Sequence, residues 1–430
     1  MKYQAFVFES YAFNVETRTL ELSYSFDETL HFTETYTFNF AFESYDPAVL
    51  DKALQLLFFM AGVSYYKAYL PPSIIVKAGQ IDTQTSQFLE KTWQHGLGEF
   101  FYVNQIDPRT AIHFPVTTAG APTALQHRGT GALIGLGGGK DSLVSVELLR
   151  NATSNLATWS LGHETQLQPL VEAVGVPHFS VQRQWDKKLL ELNKTEAYNG
   201  HVPISALFAC VGAVVAILSG KRDVVVSNEQ SANEPTLTYR GIAINHQYSK
   251  SQEFERDIQQ LLATTYGGTI RYYSLLRPLS ELRIAELFAK IGFEKYKTTF
   301  SSCNRAYTAN STAMSWCAEC PKCAFVYMIL TPFVDKRELA ALWGGKNLLQ
   351  DPALQPLYES LVGIAGDKPL ECIGEIQESR TAMQLCFATY PELQSIYQFE
   401  LPDDYDYKRY MSNELPSEVD SVLRESINKL

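Results

Sequence analysis

Polar and apolar positions alternate through the first forty residues. In Glu34-Thr35-Tyr36-Thr37-Phe38-Asn39-Phe40 every second residue is aromatic, the pattern of half-buried antiparallel strands, and a small meander is predicted there. From Asp46 to Tyr66 the spacing becomes helical, with Leu50, Ala53, Leu54, Leu57 and Phe58 on one side, and Leu70-Pro71-Pro72 ends it. Phe88 to Phe101, carrying Leu89, Trp93 and Leu97, reads as another helix. Strands followed by helices predict an α+β module over residues 1–120, and Pro115 to Thr130, poor in large apolar residues, is the predicted linker.

A different pattern starts at Gly131. Strands over 131–136, 156–161, 177–182, 222–227 and 269–275 alternate with helices over 141–151, 164–174, 202–219, 250–265 and 279–291. Such alternation predicts an α/β domain over residues 125–300, a parallel sheet with helices on both faces and ligands at the carboxyl ends of its strands. The loops at those ends are Leu161-Gly162-His163, Val181-Gln182-Arg183 and the segment from Ser227 to Lys250. Val202 to Leu218 imitates a membrane span, but it is shorter than the ~20 residues a span needs and runs into Lys221-Arg222-Asp223. A helix buried against the sheet is expected instead. After the last strand, Ala324 to Leu330 and Arg337 to Trp343 are helical, and a tail punctuated by Pro352, Pro356, Pro369, Pro391 and Pro402 predicts a helical cap within residues 301–430.

Composition narrows the partners. With 430 residues, 46% apolar and 19% charged, the chain is a folded globular protein of two or three domains. A formal net charge of −11 argues against a nucleic-acid partner and favours a small-molecule substrate. The apolar run at Met1 to Ser10 breaks too early for a signal peptide, so a cytoplasmic protein without a membrane segment is expected.

The candidate chemistry begins at Gly135-Leu136-Gly137-Gly138-Gly139-Lys140-Asp141-Ser142. A strand, a glycine bend and a helix start aim backbone amides at one point, which suits an anion. Side chains at Gly137, Gly138 or Gly139 would hold the backbone away from phosphate oxygens or forbid a positive φ. Lys140 adds a charge and Ser142 a hydroxyl. A Walker A loop fails because Ile134 and Asp141 stand where Gly and Ser or Thr are required. A dinucleotide loop starting at Gly135 fails because Lys140 stands where its last Gly belongs. The residues Gly137 to Ser142 resemble the S-G-G-x-D-S loop of the PP-loop ATP pyrophosphatases, with Gly137 in place of the first Ser. That resemblance implies ATP binding, with attack on its α-phosphate and release of pyrophosphate.

Two further clusters stand out. Ser227 to Pro235 and Asn245 to Glu253 form a long polar loop at the ligand edge, where Glu229 joins Asp141 as the expected Mg²⁺ ligands, since hard cations take oxygen. Ser249 or Ser251 as a helix cap, and Glu253 and Glu255 as a solvated face, are the plainer readings of the same loop. Cys303, Cys317, Cys320 and Cys323 fall within twenty-one residues, a spacing suited to structural Zn²⁺, with free thiols, an iron–sulfur cluster or a thiol base as alternatives. Cys210 and Cys386 are expected in the core.

The glycine bend followed by a four-Cys cluster looks like the deazaguanine nitrile synthases, which are much shorter. With the front module, Ser227-Asn228-Glu229-Gln230-Ser231-Ala232-Asn233-Glu234, Phe300-Ser301-Ser302-Cys303-Asn304-Arg305 and Trp316 to Phe325, the chain resembles the UDP-N-acetylmuramoyl-L-alanyl-L-glutamate epimerases over most of its length. The resemblance implies inversion of the terminal L-glutamate of a peptidoglycan precursor, with ATP consumed and AMP and pyrophosphate released, and a front module that holds the UDP-sugar end. Arg305 or Arg240 would grip a carboxylate, and His246, Lys250, Glu229, Glu234 and Cys303 are candidates for proton transfer. The alternatives are a PP-loop ligase forming an amide, nitrile or thio product, and a nucleotide sensor without catalysis.

Overall fold

The computed structural model describes residues 2–120, 123–150, 152–306, 314–366, 368–401 and 405–430. Residues 121 and 122 of the predicted linker, residue 151 of a predicted helix and Pro402 of the predicted cap lie outside the described residues. The strands are β1 (Ala5–Asn14), β2 (Thr19–Phe26), β3 (Leu30–Phe38), β4 (Ser73–Val76), β5 (Ala132–Gly135), β6 (Leu156–Leu161), β7 (His178–Gln184), β8 (Asp223–Val226), β9 (Leu237–Tyr239), β10 (Ile242–Ile244) and β11 (Arg271–Ser274). Nine of them form one mostly parallel sheet in the order β11-β8-β5-β6-β7-β3-β2-β1-β4, and β9 and β10 pair in a short ribbon.

The meander β1-β2-β3 forms as its alternation predicts, but it does not end in a free edge. β3 pairs antiparallel with β7, from Thr35 opposite Gln184 to Phe38 opposite Val181, so residues 5–38 and residues 132–274 share one sheet. Val181-Gln182-Arg183, predicted as a ligand loop, is instead part of β7. Arg183 serves the seam: its guanidinium forks onto Glu34 at 2.7 and 3.2 Å and donates to Ser64 Oγ at 3.0 Å, with the Glu34 side chain fully buried.

Successive residues of the central strands feed opposite layers. Leu133, Val224 and Tyr272 join a core with the helices Pro47–Ala61, Ile204–Leu218 and Gln252–Tyr266. Ile134, Val225 and Tyr273 join a second core with the helices Lys140–Arg150, Glu281–Ile291 and the C-terminal helices from Pro321–Leu330 onward. The helix Ile204–Leu218 is the apolar stretch that imitates a span. It lies close on the sheet, since a Cβ at Gly212 would come within 2.8 Å of Val224 Cγ1. Pro47–Tyr66 has the length and apolarity to cross a membrane, yet 83% of its most apolar window is buried inside the protein.

The strand order reverses at β5. β6 and β7 follow on one side, β8 and β11 on the other, so the loops leaving β5 and β8 face a common crevice, where open parallel sheets take ligands.

Because Glu34 and Arg183 are both removed from water, deleting one leaves the other charge unpaired. Glu34→Ala is expected to cost about 3–5 kcal/mol in urea unfolding, whereas Glu34→Leu combined with Arg183→Met is expected to recover most of that loss.

Candidate active site

The glycine bend leaves β5 under backbone control. The Leu136 amide donates to the Trp159 carbonyl at 2.8 Å, and the Gly138 carbonyl accepts from the Ser301 amide at 3.0 Å. Gly138 holds φ at +90°, a conformation L side chains rarely adopt. A Cβ at Gly139 would lie 3.2 Å from Ser302 Cβ. The bend is thus braced behind by Ser301 and Ser302. Ser142 Oγ donates to the Gly139 carbonyl at 3.1 Å and ties the bend to the first turn of the helix.

Lys140 is the first residue of that helix, and its side chain is 1% exposed. Its ammonium donates to Asp141 and to Glu281, a carboxylate as deeply buried as itself. Burial works against the charge on Lys140, but the two carboxylates more than offset it and its pKa rises above the ordinary lysine value. Burial alone would raise Glu281. Lys140, Lys322 and Lys250 together hold it down to about 2. Lys322 reaches Glu281 at 3.7 Å. Glu229, 4% exposed, has its pKa raised by burial and by repulsion from Glu281 and Asp141, against the pull of Lys250 and Lys322. Its carboxylate accepts a long hydrogen bond from Ser231 Oγ at 3.5 Å. Three lysines and three carboxylates therefore meet at the crevice.

Arg277 fixes this group from beneath. Its fully buried guanidinium pairs with Glu255 at 3.0 Å and donates to the carbonyls of Glu229 and Lys250, so one side chain sets the backbone on both sides of the polar loop. Glu255, read as a solvated face, is 1% exposed and belongs to this support. Ser251 caps the helix Gln252–Tyr266, accepting from the Phe254 amide at 3.2 Å.

Other predicted residues fall around this group. His246 is 8% exposed; its Nδ1 meets Thr236 Oγ1 at 2.6 Å and its Nε2 makes no hydrogen bond of good geometry among the described residues. Burial, then His201, Lys250 and Lys368, push it down to about 3, so the imidazole is neutral at physiological pH. Lys250 donates to Cys372 Sγ at 3.1 Å. Glu234 is exposed. Arg305 is exposed and paired with Glu319, and Arg240 lies at the turn of the β9-β10 ribbon, 3.8 Å from Asp107; neither joins the Lys140 group by a contact among the described residues.

The four cysteines come together. The Sγ atoms of Cys303, Cys317, Cys320 and Cys323 all lie within 4.8 Å of one another, with Cys303 to Cys320 at 3.8 Å and Cys317 to Cys323 at 3.7 Å. Tetrahedral thiolates about 2.3 Å from a metal stand roughly 3.8 Å apart. Amides of Arg305, Cys320 and Cys323 donate to these sulfurs at 3.3–3.4 Å, as they would to thiolates. Cys303 faces the other three sulfurs. Through Ser301 and Ser302 on one side and Lys322 on the other, this knuckle touches both the glycine bend and Glu281.

Glu281, Lys322, Arg277 and Cys372 are the residues that sequence reasoning missed. Glu281 follows the helix cap Ser280 and looks like an ordinary first-turn acid, and Lys322 hides between two cysteines. A cavity of about 350 Å³ lies between Lys52, Gln55, Asp82 and the last turns of the helix Gln252–Tyr266, a helix length of roughly 20 Å from Lys250. A smaller one of about 80 Å³ is lined by Ser231, Ser280, Glu375, Glu378 and Tyr405.

Family models described as the MurL N-terminal domain and the MurL C-terminal domain match residues 1–275 and 299–396. The chain belongs to the MurL family. It is 39% identical over 385 residues to the UDP-N-acetyl-alpha-D-muramoyl-L-alanyl-L-glutamate epimerase of Xanthomonas oryzae pv. oryzae, covering 88% of this chain and 84% of that protein. Proteins of the same name from a Micromonospora species and from Salinispora tropica are each 36% identical over 389 residues, covering 89% of this chain and 86% and 84% of theirs. The MurL N-terminal match holds the glycine bend, Glu229 and Lys250, and the C-terminal match holds the four cysteines and Cys372. Glu281 lies between the two.

Glu378 faces the same region, and its carboxylate accepts from the Leu282 amide at 2.8 Å. Burial and the neighbouring Glu281 push it up to about 8, from an ordinary 4.5. Between those values the unfolded chain has lost a proton that the folded chain keeps, so stability falls as pH rises through that window, by up to about 1.4 kcal/mol per pH unit. Glu378→Gln is expected to gain stability relative to the parent from pH 5 to pH 8 and to show no further gain above it, measured by urea unfolding.

Proposed function

We propose that the protein is an epimerase that inverts the terminal L-glutamate of UDP-N-acetylmuramoyl-L-alanyl-L-glutamate in peptidoglycan precursor synthesis, activating the adjacent carboxylate by adenylation with ATP. Its membership in the MurL family, and relatives named for that reaction at 36–39% identity over most of their length, support the epimerase. The observation that carries the use of ATP is the buried Lys140 after β5, next to a glycine bend with Gly138 at positive φ, at the point where strand order reverses. We assign this part of the sheet to the PP-loop fold.

The chemistry explains why a nucleotide is needed. Removing the α-proton beside a free carboxylate would create a dianion. Conversion to an acyl adenylate removes the carboxylate charge and lets the carbanion spread into the carbonyl. In this reading the amides of Gly137, Gly138 and Gly139 and the Ser142 region bind the phosphates, and Lys140 is drawn from Asp141 and Glu281 toward them. Asp141 and Glu229 have the oxygen donors for Mg²⁺, which would shield phosphate charge. The four cysteines fit Zn²⁺, whose part is to hold Ser301, Ser302 and Lys322 in place.

We assign the UDP-sugar end to residues 1–120. This module contributes none of the charged group around Lys140, but it abuts the polar loop: the His95 ring stacks on Tyr248 at 4.8 Å, and Tyr102 meets Tyr239 at 5.4 Å. The substrate is a soluble nucleotide-sugar peptide, consistent with a cytoplasmic enzyme that needs neither membrane nor nucleic acid.

The deciding experiment incubates the purified protein with UDP-N-acetylmuramoyl-L-alanyl-L-glutamate, ATP and Mg²⁺ and determines the chirality of glutamate after hydrolysis. D-Glutamate accompanied by AMP is expected. AMP formed only with ammonia or a sulfur donor would indicate a ligase, and ATP binding without pyrophosphate release a sensor. Lys140→Met is expected to lower AMP formation about 10²–10³-fold, the size of effect seen when a charge-stabilising donor is lost. Elemental analysis is expected to find one zinc per chain, reduced in Cys320→Ser; a fully active chain free of zinc would contradict the assignment of the cysteines.

A further inference from the structure

Cys372 stands apart from the other six cysteines. Cys210 and Cys386 are packed in the two cores, and Cys303, Cys317, Cys320 and Cys323 face one another. Cys372 instead directs its sulfur at the Lys250 ammonium, 3.1 Å away, on a loop whose own carbonyl accepts from Lys322. Lys322 and Lys250 both act on Glu281, so this thiol borders the charged group that surrounds Lys140. Two neighbouring polar atoms, His246 Nε2 on a residue 8% exposed and Glu371 Oε2, are buried and make no hydrogen bond of good geometry among the described residues, and both residues are next to Lys250 or Cys372. Unpaired buried polar atoms are costly, and their concentration beside a thiol and an ammonium points to a polar ligand.

A lysine ammonium donating to sulfur suits a thiolate, and a thiolate is a competent base toward a carbon acid. We propose that Cys372, held by Lys250, is one of the two proton-transfer groups at the inverting carbon of the substrate. The proposal rests on the epimerase reading and adds a residue to it. In this step the Cα–H bond breaks, the proton passes to Cys372 Sγ, and the electron pair moves into the adenylated carboxyl to form an enolate. A proton that has exchanged with water is then delivered to the opposite face, and the Cys372 thiol returns its own proton to water. Each inversion therefore places one solvent hydrogen at Cα and leaves the protein unchanged. Cys303 is not available for this task, since its sulfur faces three others in the knuckle.

The test compares full-length parent, Cys372→Ser and Cys372→Ala with substrate, ATP and Mg²⁺ in D₂O, following pyrophosphate release, deuterium at Cα and stereochemistry in the same samples. The expected result is pyrophosphate release within about tenfold of the parent and a loss of at least 10²-fold in both inversion and deuterium incorporation. Inversion within tenfold of the parent in Cys372→Ala overturns the proposal, as does a parallel loss of pyrophosphate release and inversion, which marks a structural role. A second measurement needs no altered cysteine: alkylation of the parent by iodoacetamide, resolved by peptide mass spectrometry, is expected to label Cys372 and to be blocked by substrate with ATP. Labelling unaffected by substrate and ATP overturns the proposal. If the parent inverts glutamate without releasing pyrophosphate, adenylation fails by itself, and the deuterium result still decides the role of Cys372.

Discussion

Lys140 is held almost wholly out of water between Asp141 and Glu281, and the site is arranged around that contact. Burying an ammonium and a carboxylate costs several kcal/mol each before their attraction is counted, so such a pair is a poor device for stability alone. Here it is extended: Lys322 and Lys250 approach Glu281, and Glu229 completes a group of three cations and three carboxylates. The balance matters for the proposed reaction. A polyphosphate bound at the glycine bend would bring negative charge to a place where Lys140 already sits desolvated and must only exchange partners. Little reorganisation is then required when charge develops on the phosphates.

Everything around this contact restrains it. The carboxyl ends of β5 and β8 bring the glycine bend and the polar loop side by side, with Ser145 Oγ and Ser227 Oγ 2.7 Å apart across the gap. Arg277, paired with Glu255, holds the backbone of Glu229 and Lys250 from one side, and the cysteine knuckle presses Ser301 against Gly138 from the other. The continuous sheet joins these supports to the front module. The Glu34–Arg183 fork at the β3-β7 seam keeps residues 5–38 in register with the strands that carry the site.

Much of this was legible in the sequence. All five strands and five helices predicted beyond Gly131 are present within a few residues, because their apolar periods are long and uninterrupted. The glycine bend with Lys140 and the four cysteines stand out in the sequence by their spacing, and Glu229 by its place on a polar loop at the ligand edge. What escaped were residues whose meaning depends on tertiary contact. Glu281 stands 141 positions from Lys140 and reads as a helix-start acid. Arg183 reads as a loop residue, and only the antiparallel docking of β3 makes it a strand residue with a buried partner. Glu255 obeys the pattern of a solvated helix face until Arg277 meets it. Neither period nor local chemistry marks such pairs, because the partner is supplied by the fold.

The central claim, that ATP is used to adenylate the carboxylate beside the inverted carbon, is tested most directly with oxygen isotopes. The protein is incubated with substrate whose terminal glutamate carries ¹⁸O in its α-carboxylate, together with unlabelled ATP, and the AMP is analysed by mass spectrometry. One ¹⁸O atom transferred to AMP for each D-glutamate formed is the expected result. Complete inversion with AMP free of label, or with no AMP at all, would contradict it.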